Sequence, residues 1–129
     1  MSDEPRDQSS LPDPRDLIWG QAKRAIERRL NHLDPDLERY VREFAYKEIY
    51  ARSNLESGLS PKIQEFLATV MLMALGNSLE IKTHLQGALN AGASEQELRE
   101  VILFAIPYLG FPRAIGAMQA LRELLASKK

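Results

Sequence analysis

At 129 residues the chain is shorter than the ~150 residues of a typical domain, so one core of useful size is expected rather than two. Seventeen basic against 18 acidic residues leave a net charge of −1, which argues against a nucleic-acid binder built on a general basic surface. Cysteine is absent, so no disulfide, thiolate nucleophile, iron–sulfur ligand or zinc–thiolate cage can form.

The opening stretch MSDEPRDQSSLPDP is polar and carries no apolar run, so no leader is expected. The longest nearly unbroken apolar run, Phe66 to Leu75, is interrupted by Thr69 and falls far short of the ~20 residues of a membrane span. The expectation is a cytoplasmic chain with a disordered arm over residues 1–14 and one domain over residues 15–129. Helix signals then follow one another. Asp16 to Leu30 places Leu17, Ala22, Ile26 and Leu30 at mostly helical spacing. Asp34-Pro35 reads as an N-cap followed by proline at the first helical position, opening a helix through Leu37, Val41, Phe44, Ile49 and Tyr50. Arg52 to Leu59 reads as a loop.

Ser60-Pro61 repeats the start signal and Gly76 supplies a stop; the apolar residues between them predict a central buried helix. A fourth helix runs from Asn77 or Ser78 to Gly92. Ser94 and Glu97 form a capping box for a fifth, in which Pro107 should kink or end the apolar run. The last helix starts at Gly110 to Pro112 and reaches about Ala126. With no convincing period-2 segment, these signals give an all-α bundle of about six helices.

Few residues are suited to chemistry. His32, near Asp34 at a helix end, reads as a solvated histidine complementing the helix dipole. His84 follows Glu80 by one helical turn, so the carboxylate can reach a ring nitrogen. That pair is either an exposed contact worth ~0.2–0.5 kcal/mol or an oriented general acid or base. A metal centre is not expected: Glu80 and His84 give two ligands, HExxH is missing, and Glu65 would have to complete the set from another helix. Phosphate-cradling glycine loops and nucleophile elbows are missing, so no cofactor is expected. Met71 and Met73 read as core filling. Tyr46 and Tyr50, one turn apart beside Glu48 and Arg52, either line a pocket or form a packing stripe with a surface ion pair.

Three segments carry a resemblance: YKEIYAR (residues 46–52), HLQGALNAGASEQELREVI (84–102) and YLGFPRAIGAM (108–118). From about Trp19 to Leu125 the chain resembles the carboxymuconolactone decarboxylase family, within the wider AhpD-like superfamily. The resemblance implies an AhpD-like helical bundle assembling as a homo-trimer or homo-hexamer, with no nucleic-acid or membrane partner. It also implies one of two chemistries. Decarboxylase members convert a carboxylated muconolactone of aromatic catabolism to an enol-lactone without a cofactor. AhpD-type members reduce peroxides through a Cys-x-x-Cys pair, with a glutamate upstream and a histidine downstream.

Glu65 and His84 match that glutamate and histidine, but the cysteine positions are Asn77 and Glu80. Thiol peroxidase chemistry is therefore excluded. The decarboxylase pattern also has a glutamate at Glu80 and a histidine at His84. It is departed from at Asn77-Ser78, where an Arg-Trp pair is usual, and at Leu109, where a cysteine is usual. The resemblance thus implies catalytic roles for His84, Glu80 and Glu65, with Glu80 polarising the imidazole. It implies substrate contacts by Arg52, as an anion clamp, with Glu48 and Tyr108. The competing reading is a non-catalytic helical oligomer that binds a small ligand or serves as a scaffold.

Overall fold

Helical caps and periodicity translate into an all-α architecture: the computed structural model describes residues 12–128 and holds seven α-helices and no strand among them. The expected arm, residues 1–14, lies largely outside that range. Within it, Asp13 caps α1 (Pro14–Ile18) by accepting a hydrogen bond from the Arg15 N–H. No helix of the described residues is long and apolar enough to cross a membrane. The chain divides between Pro61 and Lys62 into two compact units.

The first unit departs from plain 3.6-residue periodicity. The helix expected over Asp16 to Leu30 is broken at Gly20, whose φ of +53° lies in the left-handed region and ends α1. A 3₁₀ turn, Gly20–Ala22, leads into α2 (Lys23–Leu33). Asp34 caps α3 (Pro35–Tyr40) by accepting from the Leu37 N–H, with Pro35 at the first position as forecast. The forecast helix beyond it changes winding, to a π-helical stretch over Val41–Ile49 and then a 3₁₀ turn over Tyr50–Asn54. Wider turns rotate the side chains away from an α-helical register. Within this stretch Phe44 and Ile49 are exposed and Tyr46 is buried. Its ring stacks on Tyr50 at 4.3 Å and meets Trp19 at 4.7 Å, so these aromatics pack on one another.

The second unit follows its sequence signals closely. It contains α4 (Pro61–Leu75), α5 (Ser78–Asn90), α6 (Glu95–Leu109) and α7 (Phe111–Ala126). Asn77 caps α5 by accepting from the Glu80 N–H at 3.1 Å. The capping box of α6 forms as forecast: Ser94 Oγ accepts from the Glu97 N–H, and the Glu97 carboxylate accepts from the Ser94 N–H, each at 3.0 Å. Pro107 does not end α6, which runs on to Leu109. It sits in the last turn, where little helix remains to lose, and Gly110 closes the helix with φ 86° and ψ 168°. That backbone region is essentially restricted to glycine.

The core of this unit comes from three periodic stripes. Ile81, Leu85 and Ala88 of α5, Leu98, Ile102 and Ala105 of α6, and Ala114, Ala117, Ala120 and Leu121 of α7 are buried together with Met73 of α4. Alanines on α7 allow its backbone to approach its neighbours, and each fully buried leucine or isoleucine contributes about 1.5–3 kcal/mol.

One expectation is overturned here. α4 is not buried all round: only Glu65, Thr69 and Met73 are buried. Ile63, Leu67, Met71 and Leu75 are 40%, 43%, 61% and 76% exposed. Near-uniform hydropathy cannot choose a face, and the face chosen is the one carrying the polar residues.

Candidate active site

Glu65, Thr69 and Met73 are spaced by four along α4, so they project from one side of it. Glu80 and His84 are likewise one turn apart on α5. The short link between Leu75 and Ser78 folds the two helices back on each other, which brings Glu65 opposite His84 across 19 residues of sequence. Nδ1 of His84 lies 2.9 and 3.1 Å from the two Glu65 carboxylate oxygens. Glu65 is fully buried and His84 is 9% exposed. At the far side of the ring, Glu80 Oε2 lies 3.7 Å from Nε2, an ion-pair distance too long for a hydrogen bond, and its side chain is about one-third exposed.

This geometry distributes the roles. An ionised carboxylate only accepts, so Nδ1–H donates to Glu65, and that bond fixes the ring orientation and tautomer. Nε2 then faces Glu80 on the more accessible side of the ring. The carboxylate within hydrogen-bond distance of the ring is Glu65, with Glu80, the partner that the i, i+4 spacing offers, at ion-pair distance on the other side. A histidine held at Nδ1 by a carboxylate is suited to deliver or take a proton at Nε2. Among the described residues no group of three or more His, Cys, Asp or Glu side chains is arranged to hold a metal ion.

Glu65, Glu80 and His84 are thus brought together. The residues expected to contact substrate lie on other elements. Glu48 and Arg52 lie in the first unit, in the π-helical stretch and the 3₁₀ turn, and both are exposed. Tyr108, near the end of α6, is 78% exposed and meets Phe104 edge-on at 6.0 Å. It lines an apolar groove of about 610 Å³ with Phe66, Val70, Val101 and Phe104, a groove whose walls include neither Glu65 nor His84.

One polar residue on the same side of α4 as Glu65 is not singled out for chemistry by the sequence. Thr69 is fully buried and its Oγ1 has no hydrogen-bond partner among the described residues. The signal was present: a threonine interrupting an apolar run, one turn after the glutamate.

Residues 35–123 match the model of the carboxymuconolactone decarboxylase family. Among curated relatives, the 4-carboxymuconolactone decarboxylase of Acinetobacter baylyi is 32% identical over 127 residues, covering 96% of this chain and 90% of that protein. The nitrosuccinic acid decarboxylase of Metarhizium robertsii is 33% identical over 78 residues, covering 60% of this chain and 52% of that protein. Both relatives are named for loss of carbon dioxide from a carboxylated small molecule, which supports a decarboxylase-like function here. With a family model spanning most of its length and a relative aligned nearly end to end, the chain belongs to the carboxymuconolactone decarboxylase family.

Proposed function

We propose that the chain is a cofactor-free decarboxylase acting on a small carboxylated lactone or related ring-derived acid, as its Acinetobacter relative is named for doing. The observation that carries this reading is the buried hydrogen bond between Glu65 and His84 Nδ1, with Nε2 directed to the more open side beside Glu80. In the reaction the bond between carbon and carboxylate breaks, carbon dioxide leaves, and the electron pair is delocalised into the electron-withdrawing group conjugated with that carbon. His84 Nε2–H delivers the proton to a carbon of that delocalised system, and the ring is reprotonated from solvent. Glu65 stabilises the imidazolium before transfer and holds the ring in line. Glu80 faces Nε2 across 3.7 Å from the accessible side.

The exposed apolar residues of α4, with Phe104, Tyr108, Phe111 and Ile115, support a homo-oligomeric working state, a trimer or hexamer. The test is carbon dioxide release from 4-carboxymuconolactone and from nitrosuccinic acid by the purified chain. Wild type should turn over at least one of them. His84→Ala should lower that rate by about 10²–10⁴-fold with unchanged helix content. Wild-type rates in His84→Ala would refute the assignment. Saturable binding of both compounds without turnover would favour a ligand-binding protein.

A further inference from the structure

Thr69 occupies an unusual chemical position. A threonine inside a helix normally satisfies its hydroxyl by donating to the carbonyl four residues back. Thr83 does so, with Oγ1 3.1 Å from the Leu79 carbonyl oxygen. Thr69 does not: its Oγ1 is fully buried and bonds to nothing among the described residues, the Glu65 carbonyl included. A buried hydroxyl left in that state is a penalty that a chain evolving for stability alone would remove by substituting valine, which has nearly the same shape.

Its location can be interpolated from its neighbours on the stripe. One turn before it, Glu65 meets His84; one turn after it, Met73 joins the core cluster that contains Ile81 and Leu85. Thr69 therefore projects from the side of α4 that carries those contacts, one turn from Glu65. Residues one turn apart on a helix face have Cβ atoms about 5–6 Å apart, so the hydroxyl sits within one small-molecule length of the Glu65–His84 pair.

We propose that Thr69 is a substrate-contact residue whose hydroxyl donates to a carboxylate oxygen of the bound substrate while His84 Nε2 faces the carbon to be protonated. This assignment rests on the decarboxylase reading and adds to it a donor. Besides the His84 ring, whose proton goes to carbon, the residues brought together there are two carboxylates, which accept hydrogen bonds and repel an anionic substrate. A fixed neutral donor orients the substrate carboxylate without adding a cation that would hold back the departing carbon dioxide. The unmet hydroxyl of the empty protein is then the preorganised half of a hydrogen bond completed on binding.

The experiment compares wild type with Thr69→Val and Thr69→Ser in two measurements: thermal unfolding without ligand, and kcat/KM on 4-carboxymuconolactone and nitrosuccinic acid. Thr69→Val should keep or raise Tm, by about 3 °C, because it removes an unsatisfied buried hydroxyl. It should lower kcat/KM by about 10- to 100-fold, and Thr69→Ser should recover most of that loss. A kcat/KM within twofold of wild type in Thr69→Val overturns the assignment while leaving the decarboxylase reading in place. So does a Tm lowered by several degrees in that variant, since it would reveal a structural partner for the hydroxyl. A wild type inactive on both compounds overturns the decarboxylase reading, and this assignment with it.

Discussion

On α4, the buried side carries Glu65, Thr69 and Met73, whereas the opposite side carries Ile63, Leu67, Met71 and Leu75. A helix packed for the stability of a lone chain would have the reverse arrangement. Each leucine or methionine left in water forgoes about 1.5–3 kcal/mol of burial, and a buried carboxylate must be compensated by its own hydrogen bonds. Stability of the single chain accounts for neither face. The proposed functions account for both: the inner face holds the proton-transfer pair, and the outer face meets another copy of the chain. The comparison teaches that hydropathy locates α4 within the sequence but cannot say which side of it is the interior.

Changes to the two faces should therefore have separable consequences. The largest effect is expected from Glu65→Ala. It leaves the buried His84 ring without its acceptor, which should cost about 3 kcal/mol of stability and at least 100-fold in turnover, read by thermal unfolding and carbon dioxide release. On the outer face, Leu67→Glu combined with Met71→Glu should leave helix content intact and break assembly. Sedimentation should then show a 14.6 kDa species in place of a trimer or hexamer. Should that variant sediment as wild type does, the outer face is not the interface.

A smaller effect, away from both faces, provides the control. Ser94→Ala removes half of the α6 capping box and should cost about 1 kcal/mol, lowering Tm without changing assembly or turnover. The smallest is a pH effect at the same cap. The Ser94 N–H, and then the Lys62 ammonium at 3.1 Å, hold the Glu97 carboxyl below its ordinary range. A carboxyl lowered in the folded state adds stability above its unfolded pKa, and that contribution is lost as pH falls through the folded value. Wild type should therefore lose more Tm between about pH 5 and pH 3 than Glu97→Gln does. Equal losses would show that the cap carries no pH dependence.

Much of the second unit was legible because its boundaries are chemical: Asn77, the Ser94–Glu97 box and Gly110 act locally, whatever the tertiary packing. The first unit was less legible. Its apolar residues were counted at 3.6 per turn, while the chain over Val41–Ile49 winds as a π-helix, so Phe44 and Ile49 point outward and Tyr46 inward. At the site, the Glu80–His84 spacing could be read directly because both lie on one helix. The Glu65–His84 bond joins two helices, and no local pattern encodes it; the family resemblance supplied Glu65. Thr69 was passed over because an isolated threonine in an apolar run has no periodicity of its own. Its meaning lies in an unmet hydrogen bond, which only coordinates show.

Replacing Glu65 and His84 together by leucine tests most directly whether the buried pair exists for chemistry. Exchanging both partners of a buried ionic pair for apolar residues leaves no orphaned charge, so stability should be retained or raised. Carbon dioxide release from the substrate that wild type consumes, measured beside Tm, should fall by at least 100-fold in this double variant while Tm stays at or above the wild-type value. Turnover at the wild-type rate would contradict the assignment of proton transfer to His84.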